Sequence, residues 1–270
     1  MMLTFNYKNR FLNFLEGTGS VNINSYHNSP LDVLTKYELK LESEEPMVKK
    51  GEYKNSIELV IPNFLIDLKP EEEIIFRRIQ KSTRADIRKA IDVDKCCFYE
   101  IENPNNEQIK TFSSLYNSFA KEKKIAICNI EKLIAIRDKN SLIMTYVTDI
   151  DKNILCTSML VVDRDSSQLY GLYGLSTHFM KSNPDEKRKI GRANKYLQWR
   201  EILLAKSKGL NWYNFGGEVN QEGSLGVNDF KRRFGTIRGY DHRLYIPVSF
   251  LGKIYVYLIN LKWKRCLRTK

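Results

Sequence analysis

A chain of 270 residues that is 42% hydrophobic and 28% charged can bury a core, which excludes the disordered class and leaves room for one large domain or two small ones. The formal charge of +12 is unevenly spread: residues 231–270 hold eleven Lys and Arg against the single acid Asp241, so +10 sits there and +2 in the first 230 residues. This asymmetry points to an anionic partner met by the C-terminal part, whether phosphates, RNA or an acidic lipid surface, with a solvated Lys-rich face as the plain alternative. Five cysteines without a CxxC pair and three scattered histidines exclude zinc spacing and point to reduced thiols in a cytoplasmic protein. The first 16 residues lack the apolar core of a signal peptide.

In chain order, residues 1–66 read as a strand-rich, shortened N-terminal half-domain ending in the alternating SIELVIPNFLIDL. Pro70 followed by Glu71, Glu72 and Glu73 marks a helix start, and that helix continues through FRRIQKSTRADIRKAI with a break expected near Ser82. Helices follow at 106–123 and around 130–137. The strands SLIMTYVTD and ILCTSMLVVDR come next, joined by a turn at Asp149–Asn153. In the strand QLYGLYGLS, Gly171 and Gly174 suggest a bulge or a close backbone approach. A polar loop over 182–189 leads to the helix NKYLQWREILLAKSKG, then the buried strand WYNFGG and a Gly-rich loop into NDFKRRFG. The segment 67–245 thus reads as one mixed α/β domain. Residues 246–270 read as a basic amphipathic tail, either packed on its own domain or in peripheral contact with anionic membrane at the inner face.

Two stretches carry candidate chemistry. RKIGRA, from Arg188 to Ala193, fits R-x-x-G-x-A; read as a loop before a helix N-terminus, its free N–H groups with Arg188, Gly191 and Arg192 suit a pyrophosphate. An ordinary basic loop is the alternative. NDFKRRFG sets Lys231, Arg232 and Arg233 between Phe230 and Phe234, and is expected to be strand-like, so that only one of the two arginines points into a cleft. His178, Asp67, Glu218 and Asp229 are candidates for proton transfer, and spacing does not choose among them. There is no GxSxG elbow, Walker loop or HExxH.

Five segments in order, IDLKPEEE…STRADIRKA, YGLYGLS, NKYLQWREILLAKSKG, WYNFGG and LGVNDFKRRFG, together resemble the Fem family of peptidoglycan-bridge aminoacyltransferases. The resemblance implies a GNAT-like acyl-CoA N-acyltransferase fold, with a central mixed, mostly antiparallel sheet flanked by helices. It implies direct attack of an amine on a thioester or aminoacyl ester, with acyl-CoA or aminoacyl-tRNA as co-substrate and no tightly bound cofactor. The acceptor would be a cell-wall precursor or an amino sugar of a surface polysaccharide. The lysine of the family's F-K motif falls on Lys231, which would stabilise the tetrahedral oxyanion, an effect worth ~3 kcal/mol for one donor. Phe230 would position the acyl end, Arg232 and Arg233 would face donor phosphates, and Phe215, Gly216 and Gly217 would line the cleft floor. Tyr173 and Ser176, in YGLYGLS, join the expected donor-binding set. The chain departs from the family in its short N-terminal half, in having no coiled-coil arm, and at Asn214, where the family commonly has Asp. A non-catalytic RNA- or membrane-binding module that keeps the fold is the competing reading.

Overall fold

The computed structural model describes residues 3–18, 30–42, 45–218 and 225–268. Its strands are β1 (Thr4–Asn9), β2 (Leu12–Thr18), β3 (Val33–Lys40), β4 (Met47–Lys50), β5 (Ile57–Asp67), β6 (Cys97–Glu102), β7 (Leu142–Thr148), β8 (Ile154–Asp163), β9 (Gln168–Ser176), β10 (Trp212–Gly217) and β11 (Ile237–Pro247). Its helices are α1 (Glu72–Arg78), α2 (Lys81–Asp92), α3 (Asn106–Lys123), α4 (Ile130–Arg137), α5 (Pro184–Ser207), α6 (Leu225–Arg232) and α7 (Phe250–Arg268).

All the described strands join one sheet in the order β1-β2-β3-β11-β5-β10-β9-β8-β7-β6, with β4 added to β5. Only β2–β3 and β9–β10 run parallel. The long β5 is the hinge of the topology: it pairs with β11 along most of its length, with β4 at its start and with β10 at its end. Its near-continuous apolar run, IELVIPNFLID, fits a strand buried on both faces. One face is covered by α1, α2 and α5, which share a core with β7–β10 built on Ile87, Ile143, Leu160, Ile190, Leu197 and Tyr213. The other is covered by α3 and α4, packed through Phe112, Leu133 and Ile136 against Met144, Met159 and Leu175.

The strands and helices expected between residues 56 and 176 lie where the patterns put them, and the β8–β9 register slips once, so that Leu172, between Gly171 and Tyr173, has no partner opposite. This is the bulge the paired glycines suggest. The α1–α2 break falls at Ile79–Gln80 rather than near Ser82, because the Gln80 N–H leaves the helix to donate to the Arg233 carbonyl at 2.8 Å.

Two expectations are corrected. RKIGRA is not a loop. Asn183 caps the helix one turn earlier, Pro184 takes its first position, and Ile190, Ala193 and Leu197 continue the buried stripe back through the motif. NDFKRRFG is not strand-like either: α6 runs to Arg232 and a turn follows, so Phe230 and Phe234 are one helical turn apart, with ring centroids 5.4 Å apart. Alternation of faces therefore does not apply to Arg232 and Arg233.

Candidate active site

The β9–β10 ladder holds only from Trp212/Gln168 to Asn214/Tyr170. Beyond it the two parallel strands part, β9 bending at its bulge and β10 at its own register slip against β5 between Asn214 and Gly217. The gap opens a cleft of about 580 Å³, roofed by α6 and walled by Tyr116, Phe119, Tyr173, Phe215 and Phe230.

The β10 slip has a visible cause. Gly216 takes a left-handed φ of +81°, which glycine adopts without a steric penalty. Its N–H is held by the Asn214 side-chain oxygen at 2.8 Å. The Asn214 amide in turn donates to Gln168 Oε1 at 2.9 Å, and the Gln168 amide to Asp163 at 3.2 Å. An aspartate at 214 would lack the N–H that reaches Gln168, so the family's usual residue would break this chain.

The turned carbonyls of Gly216 and Gly217 accept from Lys231 Nζ at 3.4 and 2.7 Å. Lys231 is 9% exposed, with its ammonium 5.5 Å from the centroid of the Phe64 ring. Burial lowers its pKa from 10.5 to about 8, opposed by the nearby Glu218 carboxylate. A buried cation on the wall of a cleft, held by two backbone carbonyls with a third proton remaining, is suited to meet negative charge that develops inside.

Of the residues expected from the sequence, the cleft gathers Lys231, Phe230, Phe215, Tyr173 and Ser176, while Gly216 and Gly217 supply the lysine's carbonyls. Tyr173 packs edge-on to Tyr116 and its hydroxyl accepts from the Asn129 N–H at 3.2 Å; burial pushes its pKa up to about 12. The arginines lie elsewhere. Arg232 leans over Phe64 on the outer rim and pairs with Glu218 at 3.0 Å, which also receives Arg238. Arg233 pairs with Asp229 one turn back. Both arginines are absorbed by acids of this chain, and neither lines the cleft. His178 is exposed on a short 3-10 turn after β9, and Asp67 accepts from the Lys69 N–H.

The RKIGRA residues are also remote in role. Inside α5 their N–H groups are spent on the helix ladder. Arg188 pairs with Asp185, and Arg192 grips Asp94 through two bonds of 2.6 and 2.7 Å. A methyl placed on Gly191 would meet nothing within 4 Å, so packing does not require glycine there. The true N-terminus of α5 carries Asp185 and Glu186 and is capped by Asn183, an arrangement that repels a pyrophosphate. Arg192→Gln is expected to cost about 2 kcal/mol of stability, by stranding Asp94, and to leave affinity for coenzyme A or tRNA unchanged. Thermal unfolding with parallel ligand titrations checks this.

Sequence reasoning missed Glu201. This fully buried α5 carboxyl also lines the cleft and accepts from Thr145 Oγ1 and Tyr213 OH, each at 2.6 Å. Burial raises its pKa, only partly countered by these bonds. The signal was legible: Leu197, Glu201 and Ala205 recur every four residues, placing a carboxyl on an otherwise apolar stripe. Among the described residues no His, Cys, Asp and Glu group could hold a metal ion, and the four described cysteines are unpaired.

The chain matches no protein-family model and no curated protein. Solved structures share its architecture. FemX is 13% identical with a TM-score of 0.55, covering 88% of this chain and 83% of that one. L-PGS from Bacillus licheniformis is 11% identical at a TM-score of 0.52, covering 96% and 85%. The C-terminal domain of a putative lysylphosphatidylglycerol synthetase from Agrobacterium fabrum is 8% identical at 0.51, covering 97% and 85%. Identities this low bear on the fold alone. With its mostly antiparallel sheet, its helices on both faces and its parted central strands, the chain shares the fold of FemX and L-PGS.

Proposed function

We propose that the chain is an acyltransferase that moves an aminoacyl group from aminoacyl-tRNA to an amine acceptor in the β9–β10 cleft. The observation that carries this reading is Lys231, a buried ammonium anchored on the Gly216 and Gly217 carbonyls and forming part of the cleft wall. The amine attacks the ester carbonyl, and Lys231 stabilises the oxyanion. That attack forms the C–N bond; collapse of the tetrahedral oxyanion then breaks the C–O bond to the tRNA ribose, and the proton lost by the amine ends on the ribose hydroxyl. Phe215, Phe230 and Tyr173 wall the space for the aminoacyl group.

Aminoacyl-tRNA is favoured over acyl-CoA by the acidic first turn of α5 and by the closure of RKIGRA into the helix, which together remove the pyrophosphate cradle. The resemblance of its five segments to the Fem family supports the amine of a cell-wall precursor as acceptor.

A thermal-shift series with bulk aminoacyl-tRNA, deacylated tRNA, coenzyme A and acetyl-CoA tests the donor, followed by release of labelled amino acid to an amine acceptor. The expected result is stabilisation by tRNA, strongest when charged, with transfer to the amine. Stabilisation by acetyl-CoA alone would make the protein a coenzyme A enzyme. Stabilisation by charged and uncharged tRNA alike, without transfer, would make it a binding module.

A further inference from the structure

The C-terminal helix is apolar on two opposite sides. Toward the sheet, α7 buries Val256 at 1% exposure and Gly252 against the Asp32 carbonyl, with Tyr255, Ile259 and Trp263 half-buried in the same cluster. At 100° per residue these occupy one side of the helix, while Phe250, Leu251, Ile254, Tyr257 and Leu258 occupy the other. The outer five are 73%, 46%, 43%, 60% and 56% exposed. A surface helix ordinarily turns charge to water on that side, and a contiguous exposed apolar stripe marks an interaction surface.

The charges lie along the seams. Lys253 and Lys264 border the outer stripe on one edge and Lys262 on the other, all three exposed. Beside the first edge, Lys49 and Lys50 of β4 join Lys253, Lys264, Tyr257 and Asn260 around a cleft of about 450 Å³, and no described carboxylate lines it. An apolar face rimmed by cations complements a bilayer that presents acyl chains behind anionic headgroups; an apolar protein groove would have no use for the rim. No described helix is long and apolar enough to cross a membrane.

We propose that α7 lies in the plane of an anionic phospholipid bilayer. Its Phe250–Leu258 stripe sits at the acyl boundary, and Lys50, Lys253, Lys262 and Lys264 rest on headgroup phosphates. The surface is distinct from the β9–β10 cleft, so docking stands or falls separately from transfer chemistry.

Co-sedimentation of the full chain with vesicles tests it, comparing pure phosphatidylcholine with phosphatidylcholine holding about 30% phosphatidylglycerol. The expected result is binding to the anionic vesicles alone, weakened about tenfold in Ile254→Glu/Leu258→Glu and lost at high salt. Both positions are exposed, and an unchanged melting temperature verifies that the double variant folds. As a second readout, Phe250→Trp fluorescence should shift to the blue on anionic vesicles. Equal binding by the double variant, or no binding by the wild type, would overturn the proposal. So would a wild-type dimer that the double variant converts to monomer without any vesicle binding, since the stripe would then serve self-association.

Discussion

Lys231→Met is expected to lower turnover about 10²–10³-fold, the loss seen when one preorganised oxyanion donor is removed. Methionine keeps the length and apolar stem of the side chain, and the balance of effects on folding is small. In the folded protein the ammonium is penalised, because its pKa is about 8 against an ordinary 10.5. The penalty is complete below pH 8 and disappears as pH rises to the ordinary value, where the group is neutral in both states. It is worth about 3 kcal/mol at neutral pH. Against that, the hydrogen bonds to Gly216 and Gly217 contribute about 1 kcal/mol each, and their carbonyls lose a partner in the variant. These opposing effects nearly cancel, so Lys231→Met should melt close to wild type while losing activity. A variant that kept its turnover would remove Lys231 from the chemistry.

Gly235→Ala is expected to cost about 3 kcal/mol of stability. Gly235 ends the α6 turn at a left-handed φ of +73°, and a Cβ there would stand 2.6 Å from the Arg78 carbonyl oxygen. Relief requires moving the α1–α2 break, which is tied to the same turn by the Gln80-to-Arg233 backbone bond. Phe234, fully buried between Phe215 and Phe230, would move with it. The change should therefore lower the melting temperature and also loosen the wall that holds Lys231. Thermal unfolding of Gly235→Ala beside Gly226→Ala checks the claim, because a methyl at Gly226 meets nothing within 4 Å and should be almost neutral.

The fold was legible where apolar period and punctuation agreed. The apolar run of β5, buried on both faces rather than alternating, the Asp149–Asn153 turn and the glycine pair of β9 each follow from local chemistry. The site was less legible because its parts depend on pairings far apart in sequence. Asn214 reads as a departure from a motif, yet it holds Gly216 through its oxygen and Gln168 through its amide, and no local pattern shows a bond across 46 residues. The errors at RKIGRA and NDFKRRFG share one cause. In both, charge drew attention from helical spacing that was present in Ile190, Ala193 and Leu197, and in Val227, Phe230 and Phe234. Net charge says that anions are met nearby, but not which cations are already paired. Arg192 with Asp94, Arg233 with Asp229 and Arg232 with Glu218 are settled within the chain.

The most direct measurement is the pH dependence of kcat/KM for transfer from aminoacyl-tRNA to an amine acceptor in large excess, in wild type and Lys231→Met, with the acceptor's own ionisation divided out. If the Lys231 ammonium stabilises the oxyanion, the wild-type rate falls as pH rises through about 8, where that cation is lost, and the variant shows a low rate without this step. A rate that climbs through the same pH would make the neutral amine the active form. A step at pH 8 that survives in Lys231→Met would belong to another group; either result contradicts the assignment of Lys231 as the charge that meets the transition state.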